Sequence, residues 1–334
     1  MTSVYDVAPE GLLGSKPDRV RLGLRWAFVA IAAGLLAWAL VRYRGAIADS
    51  WASIGAFAFL ASGAAALVAL GANALSWRAV MRALGLRSTR REAAQVFFVS
   101  QAGKYVPGAV WPVVAQVAFA RDHGVDRARA VVGSLGAMVV GVVTAGVIGA
   151  VGTTVFVPGA FEAYWWVLPI AAALAIVLTP AVLRRIVAWA MKMHGGEGEA
   201  PEIAGRDLAA AILWSAGMWL LLGVHAWILL RSVAPGPSVS WPLATAVMAL
   251  AWLVGFVVVL APAGAGAREA AFVLLLGAVA TTPQALGFAL ASRVLMTLAD
   301  AVALVIGLAL RRSQAPRRRN VSRRRAGRGR AART

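Results

Sequence analysis

Seven runs of at least eighteen mostly apolar residues divide this chain, at approximately 24–41, 54–77, 129–152, 163–183, 207–230, 242–261 and 285–310. A helix that crosses a bilayer needs about 20 such residues, because the hydrocarbon core is about 30 Å thick. Runs of this length leave no room for a soluble core, so the expected fold is an all-α integral membrane bundle. Composition agrees: 60% of the residues are hydrophobic and only 14% are charged, against about 25% charged in soluble domains. Trp26, Trp51, Trp77, Trp165, Trp166, Trp189 and Trp241 sit near run ends, as interfacial aromatic belts require.

Two further apolar stretches, 93–119 and 267–282, are broken or short. The first contains Gly103-Lys104-Tyr105-Val106-Pro107-Gly108, with Val110-Trp111-Pro112 following. The second opens on Pro262-Ala263-Gly264-Ala265-Gly266-Ala267-Arg268-Glu269. Lipid cannot hydrogen-bond free backbone groups, so irregular backbone at membrane depth survives only where protein buries it or water reaches it. Paired interruptions in comparable places of two halves point to a transport site. The halves here share a plan rather than a residue-level repeat. They divide at the polar stretch 184–206.

Loop charges fix the orientation. The N-terminal segment 1–23, the loop 78–91, the segment 121–129 and the stretch 184–206 are rich in Arg and Lys, whereas 152–162 and 232–241 contain neither. The positive-inside rule places the first four in the cytoplasm and the last two outside. Both flanks of 93–119 are then cytoplasmic, so that stretch is expected to dip in and return as a re-entrant hairpin. Eight crossings within residues 24–310 and one re-entrant segment satisfy every loop, with both termini cytoplasmic. The weak point is 267–282, which at 1.5 Å per residue reaches only about 24 Å. It spans only if its glycine-rich start lies below the membrane surface.

The net charge of +19 is concentrated at the end of the chain: residues 311–334 hold eleven arginines and no acid, so residues 1–310 carry +8. Such a tail repels itself, has little to bury, and is expected to be disordered and to meet anionic lipid. No aromatic residues interleave its arginines, which argues against nucleic acid. The core of the first run follows 25 residues that include Lys16, Arg19, Arg21 and Arg25; this and the length of the core favour an uncleaved signal anchor over a cleaved leader. No cysteine is present, and His123, His194 and His225 lack ligand spacing. With no carboxylate pair, nucleophile–base pair or cofactor motif either, the expectation is a protein that is not an enzyme and carries no cofactor or metal.

The candidate site residues are charges and hinges inside apolar stretches. A charge near mid-bilayer costs about 2.5–3.5 kcal/mol on insertion scales, so it is rarely kept without a partner or a task. Lys104, flanked by Gly103 and Tyr105 and followed by Pro107 and Gly108, would form an anion site with the amides of the bend. The competing reading is that it snorkels to the cytoplasmic interface. Arg268 follows the Gly264-Ala265-Gly266 turn and would add a bidentate phosphate contact, while Glu269 complements the dipole of the helix it opens. Arg293 and Asp300 project from nearly one face of the last helix, about 10.5 Å apart along its axis. That is too far for a direct pair, and Glu269 is the expected partner of Arg293. Asn73, Gln95, Gln101 and Gln116 would line the same cavity or bridge helices. His225 reads as a hydrogen-bonded packing residue.

The first broken segment, with Arg121-Asp122-His123-Gly124-Val125 after it, resembles that of the flippase-like transmembrane domain of the lysylphosphatidylglycerol synthase family. The proline, glycines and Arg-Glu pair of the second resemble that family's other signature. The resemblance covers roughly residues 20–310 and implies a helical bundle with re-entrant segments in a bacterial cell (inner) membrane. It implies a role in moving an anionic membrane lipid or lipid-linked headgroup between leaflets. There is no counterpart of the cytosolic aminoacyl-transfer domain, so synthase activity is not expected. Where the family often carries Arg and Glu after the first Pro-Gly, this chain has Ala109-Val110-Trp111-Pro112. The alternatives are a scaffold recruiting an envelope-synthesis protein partner through the arginine tail, and an integral membrane transferase using a lipid-linked donor.

Overall fold

The computed structural model describes residues 34, 38, 41–105, 111–122, 127–157, 159–193, 204–257 and 266–312. The basic amino-terminal segment, nearly all of the first apolar run, and the arginine tail beyond Arg312 lie outside the described residues. The rest is helical, and among the described residues there is no strand. In chain order the helices are α1 (Arg44–Ala52), α2 (Ala56–Ala83), α3 (Arg90–Gln101), α4 (Trp111–Asp122), α5 (Arg127–Phe156) and α6 (Ala160–Tyr164). They continue with α7 (Val167–Val177), α8 (Pro180–Met193), α9 (Gly205–Val233), α10 (Trp241–Val257), α11 (Ala267–Leu276) and α12 (Thr282–Arg312). A 3-10 turn, Ala102–Tyr105, extends α3.

Among the described residues, four helices are long and apolar enough to cross a membrane: α2, α5, α9 and α12. A fifth crossing requires α7 and α8 together, which meet at a 65° bend. The run expected at 163–183 is therefore not a straight rod. Pro180 starts α8, lacks an N–H and pushes Thr179 away from helical geometry. The helix closes instead on short turns from Leu178 N–H to Ala175 O and Thr179 N–H to Ile176 O. The outer surface is apolar, with Phe57 85% exposed and Leu213, Leu274 and Val305 also open. So much exposed hydrocarbon is untenable in water, and it fits a multi-pass membrane protein.

Side-chain size sets how closely the helices pack. On α9, a Cβ at Gly223 would lie 1.8 Å from Thr245 Oγ1 on α10, so only glycine fits that crossing. Gly307 of α12 plays the same part against the α3 backbone, where Gln95 O would lie 3.2 Å away from an added Cβ. The main core gathers Trp219, Leu229, Met248, Phe272 and Phe288 from α9 to α12. A second cluster joins Trp77, Met81, Phe97, Phe98, Val117 and Ala303. In it Trp77 touches both Phe97 and Phe119, and Gln116 Nε2 donates to Ser100 Oγ at 3.2 Å. Helices α3 and α4 thus lie side by side, folded back about the break between them.

The last helix is the axis that places the site. Its 31 residues measure about 46 Å. Helix α3 starts on a capping box, with Thr89 Oγ1 accepting from Glu92 N–H and Glu92 accepting from Thr89 N–H. It then runs antiparallel to α12, passing Gly307 and ending opposite Asp300. Helix α11 is also antiparallel to α12: Arg268 meets Met296, Glu269 meets Arg293, and Phe272 stacks edge-on against Phe288 at 5.0 Å. Its ten residues cover about 15 Å. The C-terminal end of α3 and the N-terminal end of α11 therefore point at each other along the middle of α12.

Candidate functional site

The break after α3 lowers two side chains onto one buried carboxylate. Asp300 is 6% exposed. Lys104 Nζ lies 2.6 Å from Asp300 Oδ2, and the Tyr105 hydroxyl donates to the same oxygen at 2.5 Å. Lys104 also stands 5.5 Å from the centroid of the Tyr105 ring. A lysine just past a helix C-terminus complements the negative end of the dipole. The 3-10 turn tightens the chain so that consecutive residues reach one partner.

The other break delivers its charges one to two turns away along α12. Gly266 takes φ +85, a conformation that a residue with a Cβ adopts only under strain, and so turns the chain into α11. Glu269 Oε2 accepts from Gly266 N–H at 2.7 Å. Its other oxygen meets Arg293 Nη1 at 3.2 Å, the partnership expected from sequence. Glu269 is 2% exposed. One carboxylate thus caps the helix and neutralises a cation of α12.

Arg268 is held differently. It is 9% exposed, with Nη2 3.1 Å from Met296 Sδ and 3.5 Å from Met248 Sδ. Its guanidinium lies 5.3 Å from the centroid of the Phe272 ring. Thioether sulfurs are weak acceptors, and Arg268 Nε is buried with no hydrogen-bond partner among the described residues. Met248, Phe272 and Met296 were not expected from sequence; methionine and phenylalanine in apolar runs look like ordinary core until a cation is found among them.

Of the sequence-predicted residues, Lys104, Tyr105 and Asp300 come together, as do Arg268, Glu269 and Arg293. Gly103 sits within the 3-10 turn and Gly266 at the start of α11. Pro107, Gly108 and Gly264 lie outside the described residues. Thr297, not singled out from sequence, joins the two groups: it lies beside Tyr105 and its hydroxyl donates to Arg293 O at 2.8 Å. Residues 293, 297 and 300 form one polar ladder on α12, at helical spacing.

Gln116 packs in the α3–α4 hairpin, and the buried Gln95 Oε1 has no partner among the described residues. His225, fully buried, lies 2.7 Å from Ser62 Oγ through Nδ1 and 2.9 Å from Ser292 Oγ through Nε2. It ties α9 to α2 and α12 and has the packing role expected of it. Among the described residues no cluster of histidine and acidic residues could hold a metal ion.

The arrangement gathers three cations and two carboxylates around two chain breaks. A comparison with curated proteins finds no match. A family model described as the lysylphosphatidylglycerol synthase TM region matches residues 25–303. The matched span contains both breaks and runs just beyond Asp300, so the chain belongs to the lysylphosphatidylglycerol synthase transmembrane-region family.

Proposed function

We propose that this protein moves an anionic lipid, or a lipid-linked headgroup, between the leaflets of a bacterial inner membrane, without transforming it. The observation that carries this reading is the convergence of two chain breaks on one polar face of α12, one bringing Lys104 to Asp300 and the other Glu269 to Arg293. Polar groups in lipid are costly and are kept where they pair or act.

On this reading the ion pairs are the resting state. Lys104 and Arg293 hold Asp300 and Glu269 while no headgroup is present. An arriving phosphate competes with Asp300 for Lys104 and with Glu269 for Arg293. The two pairs lie at points about 10.5 Å apart along α12, so exchanging one and then the other passes the headgroup along the helix. Each exchange also unties a short segment from α12, which lets the headgroup be exposed to one side at a time. Gly103 and Gly266 supply backbone bends for that motion.

The same proposal includes eight crossings, with α11 contributing part of a crossing shorter than the slab, a re-entrant 93–119, and both termini in the cytoplasm. Translocation of fluorescent anionic lipid in proteoliposomes tests the function. Lys104→Ala and Arg268→Ala are each expected to slow it at least about tenfold, or about 1.4 kcal/mol. Unchanged rates in both variants would remove the site assignment.

A further inference from the structure

The charges at the two breaks do not cancel. Lys104 is matched by Asp300 and Arg293 by Glu269. Arg268 has no carboxylate within ion-pair distance among the described residues, and its polar neighbours are the two methionine sulfurs. Three cations less two carboxylates leave one positive charge. The apolar segments around the two breaks add no charge to this count. Residues 106–110 and 258–265 contain no ionisable side chain, and neither do residues 56–77, 130–156, 208–224, 226–230 and 241–257 of the surrounding helices. The guanidinium remains charged, since arginine does not lose its proton in proteins.

A lone buried cation with an unpaired N–H, next to the N-terminus of a ten-residue helix, lacks one acceptor of negative charge. Resting on the transport reading above, we infer that the site takes a phosphodiester headgroup of one net negative charge, with Arg268 as the cation its phosphate neutralises. A zwitterionic headgroup would bring a second cation next to Arg293 and Lys104. A phosphomonoester would bring a second negative charge and leave the site with one in excess, whichever ion pairs exchange. Both are costly where water is scarce.

Isothermal titration of the full-length protein in detergent tests this with three dihexanoyl lipids: phosphatidylglycerol (one negative charge), phosphatidylcholine (none) and phosphatidic acid (approaching two). The glycerol diester is expected to bind at least about tenfold more tightly than the choline diester, and phosphatidic acid no more tightly than the glycerol diester. Arg268→Gln should erase the preference for the glycerol diester over the choline diester, and Arg268→Lys should retain part of it. Asp300→Asn frees Lys104 and should shift the preference toward phosphatidic acid. It also keeps the test open if Arg268→Gln does not fold. Equal binding of all three lipids by the unaltered protein, or an unchanged order in Asp300→Asn, overturns the inference.

The two claims fail separately. If binding follows this order while translocation ignores Lys104→Ala and Arg268→Ala, transport falls and the charge count stands. If translocation depends on both residues but choline and glycerol diesters bind alike, the charge count falls and transport stands.

Discussion

Lys104 Nζ rests 2.6 Å from the Asp300 carboxylate, and the two residues carry very different burial. The lysine side chain is about one-third exposed, whereas Asp300 is nearly sealed. Such a pair is asymmetric: the lysine can return to water if its partner is lost, but the aspartate cannot.

That asymmetry gives the first expected outcome. Lys104→Met strands a buried carboxylate with only Tyr105 as donor, and should destabilise the fold by about 2–3 kcal/mol. Asp300→Asn leaves a half-wet lysine and should cost only about 1 kcal/mol, given its access to solvent. The double variant should recover part of the larger loss. Thermal unfolding in detergent, arranged as a double-mutant cycle, measures all three. Equal costs for the two single changes would contradict the asymmetry.

Two glycines on α9 should respond in opposite directions to the same change. A Cβ at Gly223 would overlap Thr245, whereas one at Gly217 meets nothing within 4 Å. Gly223→Ala should destabilise by about 1–3 kcal/mol through overpacking. Gly217→Ala should be neutral or stabilise by up to about 1 kcal/mol, since it removes backbone freedom from the unfolded chain. Melting temperatures of the two variants, taken side by side, decide it.

His225 is the third case. Its two ring nitrogens are engaged by Ser62 and Ser292 across three helices. His225→Phe leaves two serine hydroxyls without that partner and should lose about 1–3 kcal/mol of stability. Headgroup preference should change little, because the fully buried ring bonds to Ser62 and Ser292 and not to an ion-paired residue of α12. A changed headgroup preference at wild-type stability would give the histidine a different role.

At the far ends of α2 and α9, Arg82 pairs with Asp207. The arginine is about one-third exposed, so the pair is worth at most about 1 kcal/mol and is screened by salt. Arg82→Gln should shift the melting temperature measurably in low salt and hardly at all in high salt. A large, salt-independent loss would mean that Arg82 is held by more than this pair.

Much of the plan was legible in the chain because membranes simplify the code. Apolar runs of bilayer length, arginine-rich loops and glycine–proline interruptions are each local in sequence. They were enough for the helical class and for picking out Lys104, Arg268, Glu269, Arg293 and Asp300 as ionisable residues within apolar stretches. Helical spacing alone also put Arg293 and Asp300 on one face and too far apart to pair. The 65° bend at Pro180 was written in the proline, yet the continuous apolar run hid it.

Sequence by itself therefore determined the solvent this protein needs, its helical class and which ionisable residues enter apolar stretches, since all three depend on composition and period along one chain. Beyond the Glu269–Arg293 pair, tertiary structure decided who meets whom. It set α3 and α11 end to end beside α12, gave Asp300 to Lys104 and Tyr105, and left Arg268 among two methionines and a phenylalanine. The reason is physical: a charge in lipid must find a partner, but which partner depends on helix crossings set by small residues such as Gly223 and Gly307. Those contacts join positions far apart in the chain, and no local pattern encodes them.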